Sequence, residues 1–255
     1  MWHHSGLVYL TLSMQSTPPV SQVPPYTAFA EFYDEAMGDQ SQKIALLEGF
    51  ILENLPQAKS LLELACGTGT ILAGFAKNFE ITGLDLSPEM LSMAQQKLPN
   101  IPLLQGDMAN FELNQTYDIV LCIFNSINHL TSFKQWSSLF KNASKHLNPG
   151  GIFIFDINTT ERLEALAKMP SWLGEVQSGF ASIEMRALKK GYQWHVQIFK
   201  HQRDNLYELF EETVPEVSFP VDKVTNELSK FFAIEKTHAI TGHEGQDIIY
   251  FVCRR

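Results

Sequence analysis

The segment Leu61-Leu62-Glu63-Leu64-Ala65-Cys66-Gly67-Thr68-Gly69-Thr70 decides the fold of this chain. An apolar run ends in a loop that contains two glycines, and a sequence typical of a helix follows the loop. Glycine lets the backbone turn sharply and lets a ligand lie against main-chain N–H groups, which a Cβ atom would block. The order strand, glycine loop, helix is typical of nucleoside sites in open α/β sheets, so we expect a ligand at this loop.

Acidic residues follow the next two apolar segments of the chain. Asp85 ends the run 81–85, and Asp107 comes directly after the run 103–106. The carboxyl ends of parallel strands lie at one edge of a sheet, and open α/β sheets bind their ligands at that edge. We therefore expect Asp85 beside the ribose hydroxyls of a bound nucleoside.

Four segments occur in the order that is found in one enzyme family, namely 63–70, 83–91, 106–108 and 147–151. Together they resemble the small-molecule branch of the class I S-adenosylmethionine-dependent methyltransferases, over roughly residues 26–255 and most strongly over 59–157. The resemblance implies a doubly wound, Rossmann-like α/β fold with a seven-stranded mixed sheet of strand order 3-2-1-4-5-7-6. It also implies an inserted antiparallel β lid, S-adenosyl-L-methionine as the cofactor, and no metal.

The same resemblance implies a set of cofactor-binding residues. Glu63, Gly67 and Gly69 would line the methionine and ribose parts of the cofactor, and Asp85 would bind the ribose hydroxyls. Asp107 would accept a hydrogen bond from the adenine amino group. The full expected set is Tyr33, Glu63, Ala65, Gly67, Gly69, Asp85, Leu86, Asp107, Met108 and Ile123.

The implied reaction is transfer of a methyl group to a nitrogen or oxygen of a small-molecule acceptor by in-line displacement. The main competing enzyme class is a nicotinamide-dependent oxidoreductase. A dinucleotide loop needs a third glycine, however, and this chain has Leu72 at that position. A catalytically silent protein that binds S-adenosylmethionine stays open as an alternative, because a binding fold does not prove chemistry.

Composition narrows the classes of partner. The chain carries 19 Lys and Arg against 28 Asp and Glu, a net charge of -9, which repels nucleic acid on average. The apolar run 6–12 is too short to span a membrane and lacks the positive lead of a signal peptide. Three widely spaced cysteines indicate neither a disulfide framework nor a zinc site. We expect a cytoplasmic monomer or homodimer that acts on neither nucleic acid nor membrane.

The chain divides into a lead and one domain. Residues 1–24 are rich in Pro, Ser, Thr and Gln, which predicts a flexible lead in which Met14 is an alternative start to Met1. Residues 25–255 would form a single methyltransferase domain. Aromatic residues spaced three and four apart from Tyr26 onward predict an amphipathic helix. By the family resemblance, Tyr26 or Tyr33 in this segment would contact the cofactor or the acceptor.

Residues 159–220 break the alternation of strands and helices. The segments 181–188, 192–200 and 206–214 are separated by short polar turns and predict antiparallel strands. We interpret 159–220 as a lid inserted after the fifth strand, over the acceptor pocket. Such a lid would determine acceptor specificity and exclude water from the reacting groups.

No catalytic residue is identified by the sequence, but two histidines are candidates. His129 lies in the segment 124–130, after the fourth strand, where the reacting methyl group would sit. His195 lies on a predicted lid strand. A base is needed only for a protonated amine or a hydroxyl acceptor, because a neutral amine already carries its lone pair. The expected acceptor pocket comprises Tyr26, Asn125, His129 and Asp156.

Overall fold

The computed structural model describes residues 21–22, 25–177, 179–204, 206–241 and 247–255. Most of the predicted flexible lead, including both possible start residues, lies outside these ranges. Within the described ranges, no helix has the length and apolar content needed to cross a bilayer.

Helices and strands alternate through the first two thirds of the domain. The helices are α1 Tyr33–Met37, α2 Ser41–Asn54, α3 Thr70–Phe75, α4 Pro88–Lys97, α5 Phe133–Lys145, α6 Thr160–Leu166 and α7 Val221–Leu228. The strands before residue 160 are β1 Ser21–Gln22, β2 Ser60–Leu64, β3 Glu80–Asp85, β4 Leu103–Gln105, β5 Tyr117–Cys122 and β6 Leu147–Asn158. The later strands are β7 Trp172–Val176, β8 Gly179–Ala187, β9 Tyr192–Arg203, β10 Leu206–Glu216, β11 Ala233–Thr241 and β12 Asp247–Arg254.

The central sheet has seven strands in the described part of the chain, in the order β11-β12-β6-β5-β2-β3-β4. Counted in chain order within this sheet, that is the predicted order 3-2-1-4-5-7-6, so the predicted fold is confirmed. β4, β3, β2, β5 and β6 run parallel, and β12 and β11 close the sheet as an antiparallel pair.

Apolar side chains on both faces explain why these segments form buried parallel strands. In β2, Leu61, Leu62 and Leu64 are fully buried. Leu61 packs with α2 and α3 on one face, whereas Leu62 and Leu64 pack with α5 and α7 on the other. Strands buried on both faces read as continuous apolar runs, because each face is covered by helices.

A second sheet, of order β1-β10-β9-β8-β7, forms the lid. Its strands β7 to β10 are antiparallel neighbours, and β1 adds to β10 in parallel. The three predicted lid strands are confirmed as β8, β9 and β10. The strands β1 and β7 and the helix α6 were not predicted.

The inner face of the lid packs on residues 25–37, which we call the strap. Phe29 and Phe32 of the strap form a buried cluster with Val196 and Ile198 of β9. The predicted continuous helix from Tyr26 is wrong at its start. Tyr26 has a positive φ of 61°, and a 3-10 turn over Phe29–Phe32 precedes α1. The cause is a partner that is distant in sequence, the Glu212 carboxylate of β10, described below.

Candidate functional site

Two neighbouring cavities lie at the carboxyl edge of the central sheet. The larger has a volume of about 510 Å³ and is bounded by the glycine loop, the ends of β3 and β4, the strap and β10. The smaller, of about 50 Å³, lies between the glycine loop and α1. Both are lined by Tyr33, Ala65, Gly67, Phe124 and Ser126. The shared walls make them parts of one cleft, and ligand sites typically have volumes of about 300–1,000 Å³.

The glycine loop has the geometry that its two glycines allow. Gly67 has a φ of 54°, and a Cβ added there would meet nothing within 4 Å, so a side chain would project into the open cleft. Gly69 has a φ of 75°, and its Cβ would lie 3.2 Å from the side chains of Ala94 and Leu98. Gly67 therefore keeps the cleft open, and Gly69 lets α4 pack closely.

Leu72 occupies the position at which a dinucleotide loop has its third glycine. Its side chain is fully buried, and its Cδ2 lies 3.0 Å from where a Cβ of Gly83 would be. Leu72 therefore fills the space between α3 and β3, and Gly83 makes room for it. A dinucleotide loop has a glycine at this position so that its helix can approach the strand and the pyrophosphate, and the buried Leu72 side chain does not provide this.

Asp85 joins the end of β3 to the glycine loop. Its Oδ2 accepts a hydrogen bond from the Gly67 N–H at 2.7 Å, and its Oδ1 accepts one from the Ser87 N–H at 2.9 Å. Burial raises the pKa of Asp85, while these backbone N–H groups act in the opposite direction. The carboxylate also lines the larger cavity, where its remaining lone pairs can accept hydrogen bonds from hydroxyl groups.

Glu63 is a buried carboxylate that lines the smaller cavity. It is only 3% exposed, and its Oε2 has no hydrogen-bond partner among the described residues. Burial and the neighbouring Asp85 raise the pKa of Glu63 well above its ordinary value. A buried, unpartnered carboxylate favours a bound cation or hydrogen-bond donor. S-adenosylmethionine carries positive charge at its sulfonium and ammonium groups, so the residues present suit this cofactor.

The opposite end of the larger cavity is formed after β3 and β4. Asp107 and Met108 line it, and Leu86 stands at the rim with 67% of its surface exposed. Asp107 Oδ1 accepts a hydrogen bond from the Ala109 N–H at 2.8 Å, which fixes the carboxylate at the end of β4. Ile123 lines the smaller cavity only. The structure thus brings together at one cleft every predicted cofactor residue except Gly69, which lies behind the loop.

Tyr26 and His129 form a pair in the wall of the larger cavity. The Tyr26 hydroxyl and His129 Nε2 are 3.1 Å apart, and His129 Nδ1 lies 3.1 Å from the Pro215 carbonyl oxygen. A carbonyl oxygen only accepts, so Nδ1 carries the proton and Nε2 presents its lone pair to the tyrosine hydroxyl. Burial raises the pKa of Tyr26 well above its ordinary value, which keeps that hydroxyl protonated.

The other candidates for the acceptor pocket lie elsewhere. Asp156 is fully buried behind the cleft, where its Oδ1 accepts a hydrogen bond from the Asn125 N–H at 2.8 Å. His195 faces away from the strap, with its two ring nitrogens 3.5 Å from Glu184 and 3.6 Å from Glu211. The structure places neither Asn125, Asp156 nor His195 in the lining of the two cavities. Their predicted roles stay predictions.

Two groups that tie the strap to the cleft were missed by the sequence. Glu212 accepts hydrogen bonds from the backbone N–H groups of Tyr26, Ala28 and Phe29, at 2.7, 2.5 and 2.9 Å. Asp34 of α1 accepts from the hydroxyls of Thr68 and Thr70, and it forms an ion pair with Lys97. No local pattern reveals these contacts, because the partners are far apart in sequence.

Comparisons with known proteins agree with this geometry. Residues 61–151 match the family described as "Methyltransferase domain". A putative methyltransferase of Bacillus subtilis (strain 168), YqeM, is 33% identical over 214 residues, which cover 78% of this chain and 82% of the relative. The dTDP-3-amino-3,4,6-trideoxy-alpha-D-glucopyranose N,N-dimethyltransferase of Streptomyces venezuelae is 34% identical over 126 residues. That match covers 49% of this chain and only about half, 53%, of the relative.

The solved structures extend the match to the whole fold. An S-adenosylmethionine-dependent methyltransferase from Clostridium acetobutylicum ATCC 824 superposes with a TM-score of 0.78 at 24% identity. It covers 90% of this chain and 98% of its own. At that identity the superposition shows the fold alone, whereas the Bacillus subtilis relative shows the family. The chain belongs to the class I S-adenosylmethionine-dependent methyltransferases.

Proposed function

We propose that this protein transfers a methyl group from S-adenosylmethionine to an amine nitrogen of a small-molecule acceptor bound beneath the lid. One observation carries the proposal: a single cavity of about 510 Å³ is lined by cofactor-motif residues and also by residues of the strap and lid. Asp85 and Asp107 belong to the first group, and Tyr26 and Pro215 to the second. A shared cavity holds donor and acceptor together, which removes much of the entropic barrier to a bimolecular reaction.

The cofactor, when bound, supplies a methyl group on a positively charged sulfonium. Glu63, Ala65 and Gly67 would hold its methionine part, together with Tyr33 and Ile123 across the smaller cavity. Asp85 would accept hydrogen bonds from the ribose hydroxyls. Asp107, Met108 and Leu86 would hold the adenine.

The charge of the cavity supports an amine acceptor. Asp85, Glu89 and Asp107 line it, and within the described residues its lining contains neither Lys nor Arg. No cation in this lining would pair with an anion, so the part of the acceptor that lies next to the cofactor is expected to be neutral or positively charged, as an amine is. The Streptomyces venezuelae relative is named as an N,N-dimethyltransferase of a dTDP-linked amino sugar. Amino sugars are therefore the first acceptor class to test.

His129 is the proposed base, with Tyr26 as its partner. The lone pair of His129 Nε2 would take the proton of the acceptor ammonium, either directly or through the Tyr26 hydroxyl, and leave the nitrogen lone pair free. Nδ1 lies 3.1 Å from the Pro215 carbonyl oxygen and 4.0 Å from Glu216 Oε1, which hold the ring with Nε2 toward Tyr26. Asn125 and Asp156 would support this wall from behind.

The proposal is tested with cofactor whose methyl group is deuterated. The protein is incubated with a panel of amino sugars and with the matching hydroxy sugars. Mass spectrometry then identifies the products that carry the deuterated methyl group. Label on the amino sugars alone is expected. Label on the hydroxy sugars alone would contradict the amine acceptor and indicate a hydroxyl acceptor. Tight cofactor binding without product from either panel would support a catalytically silent binding protein.

Three further expectations are part of the proposal. The protein would act in the cytoplasm, as a monomer or homodimer, and on neither nucleic acid nor membranes. The net charge of -9 supports the last of these. Light scattering of the purified chain, with and without cofactor, measures the oligomeric state.

A further inference from the structure

Two consecutive residues at the end of β5 have a backbone conformation that side chains rarely adopt. Phe124 has a φ of 66° and Asn125 a φ of 54°. Asparagine tolerates this left-handed region, but a bulky aromatic residue there is an outlier. Backbone strain of this kind persists only where the surrounding structure enforces it, and it is concentrated at functional sites. Something next to this turn must therefore hold it.

The strained turn lies where the two cavities of the cleft meet. Phe124 lines both the larger and the smaller cavity. If adenosine occupies the former and methionine the latter, the sulfonium lies between them, next to this ring. The inference thus rests on the proposed function for the position of the reacting group.

Lys43 and Asp156 are the groups that hold the turn. Lys43 Nζ lies 3.7 Å from the centre of the Phe124 ring and 3.8 Å from Asp156 Oδ2. Asp156 Oδ1 accepts the hydrogen bond from the Asn125 N–H, so one carboxylate restrains the backbone of the turn and also pairs with the cation on its ring. Lys43 itself lines neither cavity, and its side chain is 17% exposed.

A purely structural ion pair would explain these contacts less well. Burying a charged pair costs desolvation energy that its attraction often fails to recover, so apolar residues usually stabilise a core as well or better. Burial lowers the pKa of Lys43 and raises that of Asp156, so each group is costly to keep charged there. The Tyr250 hydroxyl is another polar side-chain group beside the Asp156 carboxyl. The pair lies next to a strained residue in the cleft wall, in a place where apolar residues would stabilise a core as well.

We propose that Lys43 is a positioning residue for methyl transfer. Together with Asp156 it fixes the Phe124 ring at the junction of the two cavities, and so aligns the methionine part of the cofactor with the acceptor. The ring stays in place because a cation over an aromatic face is attracted to it, most strongly where water is excluded.

The test separates positioning from folding by using two binding probes. Adenosine contacts only the nucleoside end, whereas S-adenosylmethionine spans the junction. In Lys43→Met we expect the affinity for S-adenosylmethionine, measured by calorimetry, to fall on the order of tenfold, with adenosine binding unchanged. The kcat should fall as well, and the acceptor KM should change little. Lys43→Arg keeps the charge and can stack on the ring, so this variant should retain most of the cofactor affinity and most of the kcat.

A double variant and a matched control complete the design. Lys43→Met with Asp156→Asn removes the unpaired buried charge, so its melting temperature should recover while the cofactor affinity stays low. Lys236, like Lys43, pairs with a carboxylate and lies over an aromatic ring, but its partners Glu53 and Phe50 are away from the cleft. Lys236→Met should leave cofactor binding and kcat unchanged.

Three results would overturn the proposal. The first is a wild-type affinity for S-adenosylmethionine in Lys43→Met. The second is recovery of that affinity together with the melting temperature in the double variant. The third is additivity of the losses in cofactor affinity caused by Lys43→Met and Phe124→Leu. If Lys43→Met does not fold, the comparison of Lys43→Arg with Phe124→Leu decides, since the proposal expects a loss only in the latter. Failure of the wild-type protein to bind S-adenosylmethionine would instead refute the proposed function, on which this assignment rests.

Discussion

Asp85 is the residue on which cofactor binding should depend most. Its carboxylate accepts two backbone hydrogen bonds and faces the larger cavity. Asp85→Ala removes charge-assisted hydrogen bonds to the ribose, so the cofactor Kd should rise roughly ten- to a hundredfold, from a loss of about 1.5–3 kcal/mol. Calorimetry measures the cofactor Kd. Asp39→Ala removes an exposed aspartate outside the cleft and should leave the Kd unchanged; equal Kd values for the two variants would show that Asp85 does not bind the ribose.

The two histidine candidates can be separated by pH. In His129→Asn we expect kcat/KM to fall about a hundredfold, a typical effect of losing a general base. The deficit should shrink as the pH rises past the pKa of the acceptor amine, because a neutral amine needs no base. His195→Asn is the matched control, because His195 lies between Glu184 and Glu211, outside the lining of the cavities. An equal loss in both variants would contradict the assignment to His129.

At the scale of residues, the sequence could predict those that follow strand ends. Glu63, Gly67 and Asp85 were predicted because a parallel sheet gathers the ends of its strands at one edge. Lys43 and Glu212 could not be predicted. A lysine in an amphipathic helix or a glutamate in a strand is usually solvated, and only the tertiary fold brings these two to Phe124 and to the strap.

At the scale of elements, the strap depends on one buried carboxylate. Glu212 of β10 is 1% exposed and accepts from three backbone N–H groups of the strap. Glu212→Gln removes the charge and one acceptor oxygen, which should weaken the attachment of the strap by about 1.5–3 kcal/mol. Amide hydrogen exchange over residues 25–37 should accelerate, and the acceptor KM should rise. The exposed Glu208 gives the control, Glu208→Gln; unchanged exchange in Glu212→Gln would show that the apolar cluster alone holds the strap.

The elements differ in how far the sequence could predict them. The central strands are continuous apolar runs, so their positions could be predicted from the residues themselves. Their order in the sheet was implied by the family resemblance. The strap was predicted as one helix from its aromatic spacing, but Glu212 binds three N–H groups at its start, and the backbone becomes helical only from Phe29. The strand β7 was missed because Leu173, 68% exposed, and Gly174 give its sequence no strand pattern.

At the scale of the whole molecule, buried acids should make stability depend on pH. Burial raises the pKa values of Glu63, Asp85, Asp156 and Glu212. A carboxyl whose folded pKa exceeds its unfolded value holds its proton more tightly when folded. Its contribution to stability is complete below the unfolded pKa of about 4 and is lost as the pH rises through the folded pKa. Carboxyls with lowered pKa values, such as Asp34 and Asp118, have the opposite effect on stability. Their contribution is lost as the pH falls below about 4.

The free energy of unfolding without cofactor should therefore decline as the pH rises above about 4, in the direction in which growing net negative charge also acts. Urea denaturation at several pH values measures the slope. Glu63→Gln should flatten it, because Glu63 Oε2 has no partner in the described structure that would compensate its charge. Glu80→Gln, at an exposed position of β3, should leave the slope as it is. A slope of wild-type steepness in Glu63→Gln would mean that Glu63 is solvated without the cofactor, and its suitability for a cation would then rest on position alone.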